Sequence, residues 1–346
     1  MTRREKFFAG LDLRRSRGVE IGPLAAPVVS KTESDVLYVD HLDTAALREK
    51  YAADPDIDVD RIVPVDAVWG ELRLRDCFAG AAPFDYVVAS QVIEHVPDMI
   101  GWMQEIAEIL RPGGRLILAI PDRRYTFDYL RQPTRLNELI DAWLRRNRRP
   151  MPAQIFDYAA NIVDLDFLTA WQRLPDPGAL RRYGDLAFAL RKSKEAVREG
   201  TYIDVHCWVF TAASLLALLA DLAELGLLPF RCLAFWEAEI NTNEMTLVLE
   251  RYAGATPAEK AAARADFAAR ARRSREAEAA AICAADPNLQ SISVLEQQNT
   301  LLQRDIAALK ERVQALEGTI AALRASRSWR LTRPLRRLRQ MIGPPE

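Results

Sequence analysis

Cysteine, histidine and net charge are all scarce in this 346-residue chain, and each shortage narrows what it can be. Cys77, Cys207, Cys232 and Cys283 are scattered with no close pair, which excludes a disulfide framework and a cysteine zinc site and fits a reducing cytoplasm. A formal net charge of -1 argues against a general nucleic-acid binder, which carries a basic excess. Nowhere do eighteen consecutive apolar residues occur, and the opening MTRREKFFAGLDL has basic residues without an apolar core, so neither a membrane span nor a signal peptide is expected. No histidine, cysteine or acid cluster has metal-ligand spacing, so no metal is expected.

What the chain does have is apolar residues, 49% of the total, enough for a substantial core. Through the first 125 residues short apolar runs alternate with helix-like stretches: GVEIG at 18, VLYVD at 36, RIVPV at 61, FDYVVAS at 84 and GRLILAI at 114. Runs of this kind read as strands covered on both faces, hence a parallel sheet flanked by helices. After Pro97, the spacing of Met99, Trp102, Met103, Ile106 and Ile109 is helical, and RPGG supplies a stop. From about 130 to 200 the pattern becomes Arg-rich, helical and broken by prolines. Thr211 and Gly226 bracket a further helix as its N- and C-caps, FRCLAFWEAEI and EMTLVLERY read as final strands, and Thr256, Pro257 and Glu259 start an Ala-, Arg- and Glu-rich helix reaching about Ala285.

In GVEIGPLAAP an acid precedes a glycine turn, and a second strand ends in Asp40 twenty residues later. That is the layout of an adenosine-binding unit, in which the later acid accepts from both ribose hydroxyls. Leu24 and Ala26 stand where a dinucleotide site wants further glycines for its pyrophosphate, so a ligand without phosphates is favoured. S-adenosylmethionine fits: Gly22 admits the backbone to the methionine end, and Glu20 can hold its ammonium.

Together, EIG at 20, YVD at 38, FDYVVASQVIEHVPD at 84 and LRPGGRLILAIPD at 110 resemble the class I S-adenosylmethionine-dependent methyltransferases of type 11. The resemblance implies an α/β fold, doubly wound around a seven-stranded, mostly parallel sheet with an antiparallel last strand. The cofactor would sit at the carboxyl ends of the first strands, with Glu20 and Gly22 at methionine, Asp40 at ribose, and Asp66, Ala67 and Val68 beside adenine after the third strand. Ser90 and Gln91 would line the methyl-transfer side, with Glu94 and His95 just beyond. His95 and His206 are the candidate bases, with nearby Asp204 as an orienting acid for His206, whereas His41 reads as a helix-start residue. IPDRRYTFDYLR, after the fifth strand, sets aromatics among arginines in a manner suited to a sugar or a phosphate.

Ile292, Asn299, Ile306, Val313 and Ile320 at heptad position a, with Leu295, Leu302, Leu309, Leu316 and Leu323 at d, specify a parallel two-stranded coiled coil. The tail that follows, RASRSWRLTRPLRRLRQMIGPPE, interleaves seven arginines with apolar anchors and is suited to an anionic bilayer, a free tail being the other reading. Its SRSWRLTRPLR segment resembles the ends of bacterial glycosyltransferases and methyltransferases of surface-polysaccharide assembly. The expected organisation is a methyltransferase domain at 1–252 with a helical insertion at 130–200, a connector at 253–287, a dimeric coiled coil at 288–324 and a basic amphipathic tail at 325–346. The expected function is O-methylation of a glycan or glycan precursor by a cytoplasmic homodimer, peripheral to the membrane through its tail. Two other readings stay open: methylation of a small metabolite or lipid-like hydroxyl, and a non-catalytic dimeric scaffold for glycosyltransferases.

Overall fold

The computed structural model describes residues 1–285 apart from 71, 79 and 255, and residues 302–318 apart from 305 and 308. Seven strands form one sheet: β1 (Arg17–Ile21), β2 (Asp35–Asp40), β3 (Ala67–Val68), β4 (Phe84–Ser90), β5 (Leu110–Pro121), β6 (Phe230–Trp236) and β7 (Glu244–Arg251). Their order is β3-β2-β1-β4-β5-β7-β6. The first five run parallel, while β7 is antiparallel to both β5 and β6. Chain direction therefore brings the ends of β1, β2 and β4 to one edge, where Ile21 pairs with both Val39 and Ala89.

Burial on both faces explains the unbroken apolar runs. Val87 and Ala89 of β4, with Leu116, Leu118 and Ile120 of β5, join one core with the helices Met99–Ile109 and Ala212–Glu224. Tyr86, Val88, Ile117 and Ala119, the alternate residues, join a second core with Phe7, Phe8 and Val29. Each fully buried Val, Leu, Ile or Phe side chain among them contributes roughly 1.5–3 kcal/mol. The helix caps fall where expected: Thr211 accepts from the Ser214 amide, and Gly226 takes a φ of 71° just beyond the helix.

Two stretches differ from expectation. RIVPV is not the third strand, because Pro64 has no N–H for a ladder and the neighbouring amides are engaged elsewhere, Val63 with the Leu24 carbonyl and Val65 with the Thr44 hydroxyl. The two-residue β3 comes later, so Ala67 and Val68 lie in the third strand rather than after it. Nor is the stretch from 253 a connector. The helix Pro257–Ala285 buries Ala263, Phe267 and Ala271, and Glu278 accepts from the Thr211 hydroxyl and the Ala213 amide at the start of the helix Ala212–Glu224. A carboxylate there satisfies amides that no helical carbonyl reaches. The first compact unit accordingly runs Met1–Ala279.

Within the second unit the described residues of 302–318 are helical. Leu302, Ile306, Leu309, Val313 and Leu316 are between 51% and 60% exposed. The remaining expected heptad positions, Ile292, Leu295, Asn299, Ile320 and Leu323, and the tail at 325–346 lie outside the described residues. No helix among the described residues is long and apolar enough to cross a membrane.

Candidate functional site

The turn after β1 is built around Gly22, whose φ is 67° and whose missing Cβ would lie 3.1 Å from a Val92 methyl. Glu20, 2% exposed, spans the same turn, accepting from the Val28 and Val29 amides at 2.6 and 2.9 Å. Its carboxylate thus secures the loop, and burial pushes its pKa up to about 7 despite those two amides. Asp40, at the end of β2, is 4% exposed. One oxygen accepts from the His41 amide and contacts the His41 ring, while Oδ2 is buried with no partner among the described residues. His41 does not begin a helix; Asp43 caps the helix Thr44–Tyr51. Asp66 accepts from Lys31 at 2.7 Å and from the Tyr38 amide at 2.8 Å, and Val68, paired with Asp40, leaves 41% of its surface open. An unpaired buried carboxylate oxygen as acceptor, with a backbone lacking Cβ and an open apolar residue, fits a ribose diol flanked by a methionine chain and an adenine.

Beyond β4 the chain turns at Gln91, held at a φ of 56° by a bond from its amide to the Ala119 carbonyl. Ser90 accepts from Arg3 at 2.7 Å, and Gln91 donates to Glu244 at 3.1 Å. Arg3 and Glu244 also pair with each other, and neither was marked by any motif. Gln91, Glu94, His95, Tyr125, Phe127, Tyr183 and His206 line a cavity of about 240 Å³. Tyr125 is held by stacking on Trp171 with ring centroids 3.8 Å apart. A larger, mostly apolar cavity of about 450 Å³ shares Phe127 and Tyr183 and continues past Ile155, Tyr158 and Phe188.

The polar end of the first cavity is where fold and sequence expectation part. Asp204 does not pair with His206. It accepts from His95 at 2.9 Å, whereas Nδ1 of His206 lies 2.6 Å from Asp128. Asp128 is bound in turn by Arg131, 1% exposed, which also reaches Asp157. Burial pushes the His95 pKa down, but the Asp204 bond and nearby carboxylates outweigh it and hold it above the usual imidazole value. The Asp128 carboxyl is raised by burial, yet His206 and Arg131 bring it below the ordinary range. Glu94 is fully buried, with both oxygens unpartnered among the described residues, and burial drives its pKa up. The rings of His95 and His206 meet edge to face at 4.7 Å, and ligand atoms of Glu94, His95 and His206 lie within 4.8 Å of one another. Asp128 stood within the aromatic-basic stretch, but only the fold brings it to His206, 78 residues away.

The methyltransferase-domain family model matches residues 7–222 of the chain. No curated protein matches it. Among similar solved structures, the CcbJ methyltransferase from Streptomyces caelestis is 22% identical over 36% of this chain and 53% of that one, with a TM-score of 0.26. An S-adenosylmethionine-dependent methyltransferase from Methanosarcina mazei is 15% identical, covering 69% of this chain and 93% of that one, with a TM-score of 0.33. TehB from Haemophilus influenzae is 11% identical, covering 68% and 57%, with a TM-score of 0.30. The chain spans about half the length of several of these structures, including CcbJ and the CurJ carbon methyltransferase.

Proposed function

Because the chain belongs to the methyltransferase-domain family, whose cofactor is S-adenosylmethionine, we propose that it methylates a hydroxyl of an acceptor held in the cavity beside Glu94, His95 and His206. The observation that carries this reading is the adjacency along the sheet edge. Asp40, with its free oxygen, ends β2, and the cavity opens where β4 ends at Ser90 and Gln91. The cofactor supplies a methyl group already activated by a sulfonium. The protein's task is positioning, exclusion of water and help for a weakly acidic hydroxyl. Asp40 would accept from the ribose, Gly22 would admit the methionine chain, and Val68 would cover the adenine. Gln91 and the aromatic wall would orient the acceptor, and Glu94 with the two imidazoles would act on its hydroxyl.

A glycan or glycan precursor is the acceptor supported by the aromatic lining of Tyr125, Phe127 and Tyr183, since sugar faces stack on such rings, and by the resemblance of the SRSWRLTRPLR segment to the ends of polysaccharide-assembly enzymes. A lipid-like or otherwise apolar hydroxyl is the second reading, favoured by the mostly apolar 450 Å³ cavity that shares Phe127 and Tyr183 with the first. Labelled methyl transfer to carbohydrate and to prenyl or phenolic hydroxyls separates the two. An O-methylated product in either set supports the proposal, and methylation of nitrogen or carbon alone refutes it.

The exposed Leu302, Ile306, Leu309, Val313 and Leu316 support a homodimer closed through the described helical residues of 302–318, with a glycosyltransferase helix as the alternative occupant. The arginine-rich tail sequence supports contact with an anionic membrane.

A further inference from the structure

We propose that Glu94, His95 and His206 bind a divalent transition-metal ion at the polar end of the cavity. Three independent features point there. Glu94 is 0% exposed and both of its oxygens lack partners among the described residues, an arrangement unfavourable to a carboxylate unless a proton or a cation meets it. One of its oxygens and one ring nitrogen each of His95 and His206 lie within 4.8 Å of one another, so an ion with bonds of about 2.1 Å draws the three side chains together to span them. Each imidazole is also already set for ligation. Nδ1 of His95 is held by Asp204 at 2.9 Å and Nδ1 of His206 by Asp128 at 2.6 Å, which leaves Nε2 of each ring as the free ligand atom. A carboxylate behind each histidine is the arrangement that fixes tautomer and orientation in metal sites.

Two imidazoles and one carboxylate suit zinc, iron, cobalt or nickel better than calcium or magnesium, which prefer all-oxygen shells. Three protein ligands leave positions open to the cavity. In the methyl-transfer reading an acceptor hydroxyl would take one of them and lose its proton more readily, and that role rests on the reading above. The binding itself does not. His95 and His206 are 111 positions apart, so no sequence spacing announces the site.

The test uses full-length protein stripped with a chelator and titrated with Co(II), read by its visible absorption, and with Zn(II), read by calorimetry. One ion per chain is expected. Glu94→Gln and His206→Gln should abolish saturable binding, and Asp204→Asn, which changes a positioning residue, should weaken it roughly 10–100-fold. Cooperative melting of each variant verifies folding. No saturable binding by the native chain, or affinity unchanged in both Glu94→Gln and His206→Gln, overturns the proposal. S-adenosylmethionine binding measured on the same metal-free protein reports separately on the function proposed above.

Discussion

Replacing Arg131 with methionine tests the buried network behind His206. Arg131 is 1% exposed and bonds Asp128 at 2.8 Å and Asp157 at 2.8 Å. Asp157 is 40% exposed on its side chain and water can take over its half of the interaction, but Asp128, at 2%, would keep only His206. Removing one partner of a buried ion pair costs about 3–5 kcal/mol, mainly because the remaining charge is left without compensation. Arg131→Met should therefore lower the unfolding free energy by roughly that amount in urea denaturation. The double variant Arg131→Met/Asp128→Asn leaves no such charge and should recover at least about 1 kcal/mol of the loss. A single-variant loss below about 1 kcal/mol, or a double variant no better than the single, would show that Asp128 does not depend on Arg131 for compensation of its charge.

Phe267→Ala should cost about 3–5 kcal/mol in thermal or urea unfolding if the helix Pro257–Ala285 belongs to the core, and a surface-like change below about 0.5 kcal/mol would return it to the role of a connector. Glu20, pushed from 4.5 up to about 7 by burial, binds its proton more tightly in the folded state. Its contribution to stability is thus fully present below pH 4.5 and lost as pH rises through about 7, on the order of 3 kcal/mol in all, and Glu20→Gln should flatten that part of the stability profile. An identical slope in the variant would show that Glu20 carries no such linkage. Leu309→Glu with Leu316→Glu should convert a dimer into a folded monomer by light scattering, and an unchanged mass would remove the coiled-coil proposal.

The sheet was legible in the sequence because each central strand is buried on both faces and must be apolar without interruption, as FDYVVAS and GRLILAI are. Local caps were legible for the same kind of reason, Thr211 and Gly226 acting on backbone groups only a few residues away. RIVPV misled because its β-branched composition outweighed the lost donor of Pro64. The docking of the helix Pro257–Ala285 was hidden because its buried face is largely alanine, with Phe267 as the single large contact. At the site, His95, His206 and Asp204 were each singled out, but their partners were set by long-range packing. Asp204 is two residues from His206 and nonetheless pairs with His95, 109 positions away. That Glu94 is buried without a partner among the described residues is a property of the packed core, and no pattern in VIEHV displays it.

Calorimetric titration of S-adenosylmethionine into the native chain and its Asp40→Ala variant tests whether the edge formed by β1, β2 and β4 holds the cofactor. A hydrogen bond to a charged group contributes about 1.5–3 kcal/mol, so loss of the Asp40 carboxylate, with its one unpartnered oxygen, should weaken binding by roughly 10- to 150-fold. Saturable binding that falls by that factor in the variant is the predicted result. Absence of binding to well-folded native protein, or equal affinity in both, would contradict the account and bring forward a non-catalytic scaffold.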